Sequence, residues 1–284
     1  MKLTVAIATR NRSELLAETL RHFVANSVLS ETRILVLYDE DDEDTHWISR
    51  RTEWNGKVIF SKNVRAPSLG EKYNLAMEVA PADVYQVAVD YAPVLTKGYD
   101  ELVLMAADAF PDGICCVYGP PANASFPTIQ APTHKLCELM GGIFPPLFPF
   151  WFVDHWLDDI MEMTQRISPL WLRIDCHSRA TGQTIGLRDV SFWADVFDRL
   201  KLQRRAIAHR VIDHLEEPDW RKVILKRNFL RVETYSEFIN NQVRANEADI
   251  ELTRGGNAPT DLWYQKVKER AEKTLALLSQ KDAA

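Results

Sequence analysis

The sequence predicts an α/β fold, in which helices flank a mainly parallel β-sheet and a helical extension follows at the C-terminus. Two observations lead to this class. Through the first two thirds of the chain, short apolar runs rich in β-branched residues alternate with runs whose apolar residues recur at helical spacing. From about Asp189 onward, only the helical pattern remains. Strands that alternate with helices form a parallel sheet, because each connecting helix brings the chain back to the end of the sheet at which the previous strand began.

The individual elements are predicted from the positions of these runs. A strand needs only a short buried run such as Val84–Val89, whereas a helix needs a longer apolar stripe and a capping residue such as Ser13. The predicted strands cover residues 3–8, 33–38, 57–61, 84–89, 114–118 and 171–174. The predicted helices cover residues 15–24, 70–79, 99–107, 133–140, 156–162, 192–200, 206–215, 232–248 and 260–278.

Chain length and charge limit the organisation. With 284 residues, the chain can bury one large hydrophobic core plus a small appendage. We therefore predict an α/β domain at residues 1–188 and a packed helical extension at residues 189–284. The net charge of −6 predicts no general attraction to nucleic acid or anionic lipid, so any polyanion site must be a local patch.

The sequence also bears on the cellular compartment. It shows no signal-peptide pattern, and its longest apolar stretch, residues 143–153, is short and interrupted by prolines. Four cysteines without CxxC spacing are typical of free thiols in a reducing compartment. We therefore expect a cytoplasmic protein with no transmembrane segment.

Polar residues follow the predicted strands at the edge where α/β sheets bind ligands. Residues 9–12 (TRNR) follow the first strand, and cations at a strand-to-helix junction favour a phosphate, although a plain capped turn is the alternative. Asp39 ends the second strand and can accept hydrogen bonds from a base or ribose, whereas we interpret residues 41–44 as a solvated acidic turn. Asp90 ends the fourth strand and can either hold Mg²⁺ or Mn²⁺ against a diphosphate or cap a turn.

Three segments, taken in order and spacing, resemble family 2-type glycosyltransferases with the GT-A fold, which is Rossmann-like. They read VAIATRNR…LLAETL, ILVLYDEDDEDT and SLGEKYNLAMEVAPADVYQVAVDYAPVLTKGYD, within residues 3–200. The sequence contains neither a G-x-G-x-x-G fingerprint nor a P-loop. The resemblance implies a hexosyltransferase that uses a nucleotide-diphosphate sugar, with a UDP-linked donor and inversion at the anomeric carbon as the expected form.

The resemblance also implies roles for particular residues. It implies a divalent cation, Mn²⁺ or Mg²⁺, at the end of the fourth strand. The family has a second carboxylate there, whereas this sequence reads Val89-Asp90-Tyr91, so binding with little reliance on a metal stays an open alternative. The implied nucleotide-sugar-binding residues are Thr9, Arg10, Asn11, Asp39, Gly70, Lys72, Asn74 and Arg179, and the implied metal ligands are Asp90 and His177.

An inverting transfer needs a carboxylate that takes the proton of the acceptor hydroxyl. Asp154 lies near where the family places this base, and Asp158 and Asp159 are alternatives. The preceding segment, residues 144–151, is rich in proline and aromatic residues. It is a candidate wall for the acceptor, because aromatic faces stack on sugars, and it could also form a homodimer contact.

Residues 198–231 form a locally basic stretch, with ten Lys and Arg against five Asp and Glu, a net charge of +5. Such a stretch could bind a charged acceptor such as DNA with hydroxymethylated bases, a glycan or a lipid-linked molecule, although a solvated helical face is the ordinary alternative. Two other functions stay open. One is a nucleotidyltransferase with a similar core, and the other is a nucleotide- or glycan-binding module that has lost its second metal carboxylate.

Overall fold

The computed structural model contains two compact units. It describes residues 1–54, 56–119, 121–123, 126–127, 129–150, 152–175, 189–229 and 262–281. The first unit contains Met1–Ala66, Glu71–Phe144 and Arg166–Arg179, and the second contains Pro67–Gly70, Pro145–Gln165 and Ala180–Ala284. Segment Pro145–Gln165 thus groups with the C-terminal helices, although the predicted division places it in the α/β domain.

The first unit is built on a seven-stranded sheet with the order β3-β2-β1-β4-β8-β5-β9. Strands β3, β2, β1 and β4 are parallel, β8 is antiparallel to both of its neighbours, and β9 is parallel to β5. Strands β6 and β7 form a separate antiparallel pair. The strands are β1 Leu3–Thr9, β2 Arg33–Asp39, β3 Val58–Asn63, β4 Val84–Val89, β5 Cys116–Tyr118, β6 Pro121–Asn123, β7 Phe126–Pro127, β8 Gln130–Pro132 and β9 Ile167–Pro169.

Ten α-helices lie within the described residues. Five belong wholly or mainly to the first unit: α1 Ser13–Asn26, α2 Glu43–Ser49, α3 Leu69–Val79, α4 Tyr99–Asp108 and α5 His134–Met140. The other five belong to the second unit: α6 Val153–Thr164, α7 Val190–Arg199, α8 Lys201–His214, α9 Asp219–Arg227 and α10 Leu262–Lys281. No helix of this described part combines the length and apolar character that a bilayer span requires.

The core of the first unit brings three strand ends together. Leu3, Val5 and Ile7 alternate along β1, so they lie on one face of the sheet, where they share a hydrophobic core with residues of α1 and α4. In the parallel register, Ala8 pairs with Val89 of β4 and Thr9 pairs with Tyr38 of β2. The carboxyl ends of β1, β2 and β4 are therefore neighbours at one edge of the sheet.

Most of the predicted elements are confirmed, and the exceptions lie in the shorter strands. The strand predicted at residues 171–174 is wrong, because Ile174 forms only an isolated bridge with Val94 and the strand β9 lies earlier in the chain. Strand β8 was not predicted, since Gln130–Pro132 has no strand-like composition and is ordered by pairing with β4 and β5. The helix predicted at residues 232–248 lies outside the described residues.

The second unit is held together by aromatic side chains. The indole Nε1 of Trp193 on α7 donates to the hydroxyl of Tyr264 on α10 at 2.9 Å. Phe148 lies with its ring centroid 5.9 Å from that of Trp193 and 6.3 Å from that of Phe197. The helical C-terminal extension of the prediction is thus present as packed helices wherever the structure describes it.

Asp100 organises the turn between α1 and β2. Its buried carboxylate accepts hydrogen bonds from the hydroxyls of Ser27 and Thr32, at 2.6 and 2.8 Å, and from the backbone N–H groups of Val28 and Leu29, at 3.1 and 3.0 Å. Four donors therefore depend on one side chain.

We expect Asp100→Ala to lower the free energy of unfolding by about 2–4 kcal/mol, because it leaves several buried donors without an acceptor. Urea denaturation measures this loss. The neighbouring exposed residue provides the control, and Glu101→Ala is expected to change stability by less than about 0.5 kcal/mol. Equal stability of the two variants would contradict the role given to Asp100.

Candidate functional site

The three polar residues at the strand ends form one connected cluster. The Thr9 hydroxyl donates to Asp90 Oδ2 at 2.7 Å. Lys72 Nζ, on the first turn of α3, donates to Asp39 Oδ1 at 2.5 Å and to the Thr9 carbonyl oxygen at 3.3 Å. All four side chains are buried. The carboxyl ends of β1, β2 and β4 therefore meet at Thr9, Asp39 and Asp90.

Each carboxylate oxygen of Asp39 accepts a hydrogen bond from a cationic side chain. Lys72 binds Oδ1, and Arg10 Nη1 donates to Oδ2 at 2.8 Å. Burial lowers the pKa of Lys72, and the neighbouring Asp39 carboxylate opposes this shift. Arg10 also binds Asp41 through two hydrogen bonds, which hold the pKa of Asp41 at about 2. The site thus combines two cations with two carboxylates at the end of β2.

The loop after β1 makes a tight turn that Asp42 stabilises. Asn11 adopts a φ of 53°, in the left-handed region that asparagine tolerates better than most residues. Its backbone N–H donates to Asp42 Oδ2 at 2.8 Å, and Asp42 also accepts from the Thr45 N–H and hydroxyl. Asp42 is fully buried, so the predicted solvated turn is wrong at this position, although Asp41 and Asp44 are exposed. The three donors compensate for the burial.

Arg12 belongs to the TRNR segment but is not among the binding residues that the resemblance implies, yet it reaches the same cluster. Its Nη1 donates to Asp90 Oδ1 at 3.2 Å, and its guanidinium lies 5.6 Å from the centroid of the Tyr91 ring. The Thr19 hydroxyl donates to the Asp90 carbonyl oxygen at 3.0 Å. Burial raises the pKa of Asp90, and Arg12 and Thr9 oppose this shift. The sequence contains a signal for this role of Arg12. It has no second carboxylate next to Asp90, and the loop after the first strand carries a second arginine.

The described residues do not fit the predicted metal site. Mg²⁺ and Mn²⁺ bind through several oxygen ligands. Both carboxylate oxygens of Asp90 already accept hydrogen bonds, one from Thr9 and one from Arg12. Within the described part of the chain, no group of three or more His, Cys, Asp or Glu residues is arranged to hold a metal. The other predicted ligand, His177, and the predicted phosphate ligand, Arg179, lie outside the described residues.

The side chain of Asn74 binds the backbone of a neighbouring loop at residues 143 and 144. Its Nδ2 donates to the Phe144 carbonyl oxygen at 2.9 Å, and its Oδ1 accepts from the N–H groups of Ile143 and Phe144. Gly142 is required for this approach, because it has a φ of 148° and a Cβ there would lie 2.7 Å from Asn74 Nδ2. Gly70 is the second residue of α3 and is buried. The nucleotide contacts assigned to Asn74 and Gly70 stay predictions.

The candidate base lies in the second unit, on the first turn of α6. The Asp154 side chain is 43% exposed, and its Oδ1 accepts from the backbone N–H of His155 at 2.9 Å and lies 2.9 Å from His155 Nδ1. Partial burial raises the pKa of Asp154, but the bonds with His155 outweigh this effect and lower it overall. Phe152, just before the helix, has a φ of 69°, which is a strained value for an aromatic residue. Such strained backbone conformations are often found at functional sites.

The alternative bases and the basic stretch are partly used in packing. Asp159 accepts from Arg204 Nε at 2.8 Å. Arg204 is buried, with its guanidinium 3.5 Å from the Phe197 ring centroid, so it is unsuited to a charged acceptor. Lys226 pairs with Asp213 at 2.5 Å. The charge of Arg204 is thus neutralised by an acid outside residues 198–231, whereas Lys226 pairs with one of the acids of the stretch itself.

Comparison with known proteins bears on the fold. No protein-family model and no curated protein sequence matches the chain. Solved structures do match. TarS 1–349 from S. aureus in complex with UDP-GlcNAc gives a TM-score of 0.58 at 15% identity, over 82% of this chain and 72% of that one. The same protein in complex with UDP gives 0.55 at 14% identity, over 81% and 71%.

A third structure covers the whole chain. It is the mannosyltransferase PcManGT from Pyrobaculum calidifontis in complex with GDP-Man and Mn²⁺, with a TM-score of 0.51 at 13% identity, over 100% of this chain and 88% of that one. At such identities, the likeness concerns the fold alone. The predicted α/β class is confirmed, and the chain shares its mostly parallel sheet flanked by helices with glycosyltransferase structures.

Proposed function

We propose that the protein is a glycosyltransferase that moves a hexose from a UDP-linked sugar to an acceptor hydroxyl with inversion at the anomeric carbon. One observation carries this proposal. Thr9, Asp39 and Asp90 meet with three cationic side chains at the carboxyl edge of the sheet, which is where open α/β folds bind their ligands. The fold is shared with structures that contain UDP-GlcNAc and GDP-Man, which supports the same class of donor.

The donor binds along the loops that end β1, β2 and β4. Asp39, fixed by Lys72 and Arg10, accepts hydrogen bonds from the base or the ribose. The negatively charged diphosphate is attracted by the arginines of the loop after β1. The remaining donor contacts are assigned to Asn11, Gly70 and Arg179, as the resemblance implies, whereas the side-chain amide of Asn74 binds the backbone of Ile143 and Phe144.

Asp154 is the general base of the proposed reaction. Its lowered pKa keeps the carboxylate ionised near neutral pH, and His155 holds one of its oxygens. The carboxylate takes the proton of the acceptor hydroxyl while that oxygen attacks the anomeric carbon. The bond between the anomeric carbon and the diphosphate breaks, and the diphosphate leaves with the electron pair.

We propose a glycan rather than DNA as the acceptor. Arg204 is buried and pairs with Asp159, an acid outside the stretch, so its charge is not presented to a phosphate backbone. Lys226 and Arg221 are each held by a carboxylate of the stretch itself. The exposed Trp220 on α9 offers an aromatic face of the kind that stacks on sugars. Cytoplasmic location and a homodimer stay predictions.

A panel of nucleotides tests the donor. We expect UDP or UDP-glucose to stabilise the protein by about 2.7 kcal/mol at about 100 times the dissociation constant, as measured by thermal shift. Asp39→Asn is expected to weaken this binding about tenfold, because it removes a charged acceptor, whereas the exposed neighbour variant Glu40→Gln leaves it unchanged. Stabilisation by no nucleotide in the panel would refute the proposed function.

Donor turnover tests the base. We expect Asp154→Asn to lower transfer by about 100-fold or more and to leave UDP affinity unchanged, because the base acts only on the acceptor. Glu162→Gln, two turns later on the same helix, provides the control and is expected to retain activity. Full transfer by the Asp154→Asn protein would remove Asp154 from the mechanism. Binding of UDP-glucose by the wild-type protein with neither hydrolysis nor transfer would favour the binding module instead.

A gel shift with duplex DNA tests the acceptor. We expect only weak non-specific binding, with a dissociation constant of roughly 10⁻⁴ to 10⁻⁶ M at physiological salt, because the basic stretch is partly neutralised. Tight binding with a steep dependence on salt concentration would instead favour a DNA acceptor. Duplexes with and without hydroxymethylated bases are compared in the same salt series.

A further inference from the structure

We propose that Arg12 takes the place of the divalent cation at the end of β4, so that the protein binds the diphosphate of its donor without a metal. The inference deepens the proposed function and rests on it. The predicted metal position is defined by Asp90, and the structure gives that carboxylate a different partner. A guanidinium and a metal ion both offer positive charge to a diphosphate, but a guanidinium does so through a planar fork of N–H groups.

Each of the two carboxylate oxygens of Asp90 accepts a hydrogen bond from a different side chain. Oδ2 accepts from the Thr9 hydroxyl at 2.7 Å, and Oδ1 accepts from Arg12 Nη1 at 3.2 Å. A metal ion bound to Oδ1 would lie beside the positive guanidinium, and two like charges at such a distance repel each other strongly where water is partly excluded. The Asp90 carboxylate is therefore suited to hold an arginine rather than a metal.

Arg12 is held in place by Asp90 and by the residue that follows it. The Asp90 backbone is fixed by Thr19, and the Arg12 guanidinium lies over the ring of Tyr91. Tyr91 is the residue that directly follows Asp90. The same short segment thus supplies a carboxylate and an aromatic face, two groups that bind a guanidinium well.

Arg12 differs from the other cations of the cluster in the strand end to which it is bound. Arg10 lies between Asp39 and Asp41, and Lys72 is buried against Asp39, so both are tied to the end of β2. Arg12 is instead tied to Asp90 at the end of β4, which is the predicted metal position. The side chains of both arginines are partly exposed, 18% for Arg12 and 30% for Arg10, so the strand end to which each is bound is what distinguishes them. Arg12 also precedes the first turn of α1, where the helix dipole favours an anion.

In the transfer step, Arg12 stabilises the charge of the leaving diphosphate. The bond between the anomeric carbon and the diphosphate oxygen breaks, and the electron pair stays on that oxygen. The acceptor oxygen forms the new bond, and its proton passes to Asp154. Positive charge beside the leaving group lowers the barrier to this step.

Calorimetric titration of UDP and of GDP tests the inference in EDTA and, separately, with Mn²⁺. For the wild-type protein, we expect affinities that agree within about twofold between the two conditions, because no metal takes part. Arg12→Gln is expected to bind about tenfold more weakly or worse in both conditions, since the cation is lost. The affinity of Arg12→Lys is expected to lie between those of the wild type and Arg12→Gln, because lysine keeps the positive charge without the planar fork of N–H groups. Arg21→Gln, which changes an exposed arginine of α1, provides the matched control.

Two outcomes overturn the inference alone. One is a wild-type affinity that falls about tenfold or more in EDTA, and the other is an Arg12→Gln protein that binds as the wild type does. If the wild-type protein binds neither UDP nor GDP in either condition, the proposed function itself fails and the inference fails with it. Thermal melting shows whether each variant is folded, and if Arg12→Gln is not, the EDTA comparison and Arg12→Lys decide the question.

Discussion

The interaction on which the site depends is the buried contact of Lys72 with Asp39 and with the Thr9 carbonyl oxygen. A buried ammonium is tolerated only where a carboxylate and further acceptors surround it. The contact therefore ties the first turn of α3 to the ends of β1 and β2. Thr9 extends the same constraint to β4, because its hydroxyl binds Asp90. The carboxyl ends of β1, β2 and β4 are thus linked to one another by hydrogen bonds through Thr9 and Lys72.

Strands β1, β2 and β4 are predictable from the sequence because most of their residues are buried on both faces of the sheet. Such strands appear in a sequence as nearly continuous apolar runs, and β4 was predicted with the bounds that the structure has, Val84–Val89. Polar residues at the carboxyl ends of these runs, such as Asp39 and Asp90, follow by the rule for ligand positions in α/β sheets. Strand β8 and the position of β9 depend on pairing with distant strands, which no local pattern records.

The roles of single residues were harder to predict than the strands, because burial and partners decide them. Asp42 lies in a run of acidic residues and looks solvated in the sequence, yet it is buried, caps helix α2 through Thr45 and holds the loop after β1 through Asn11. Asn74 occupies a position that the resemblance assigns to the nucleotide, yet its amide binds the backbone of Ile143 and Phe144. A residue at a position where the resemblance implies ligand binding can therefore have a structural role instead.

Asp90 shows why the fold and the chemistry must be argued separately. The fold is shared with a mannosyltransferase that is complexed with Mn²⁺, and position alone would transfer the metal to this chain. A single carboxylate whose two oxygens accept from a hydroxyl and a guanidinium has a different electrostatic environment from one that faces a metal. In a metal site, the cation is the largest local charge, and neighbouring side chains are arranged to accommodate it. Here the local positive charge belongs to the protein itself, so the same strand end can meet an anion with an arginine.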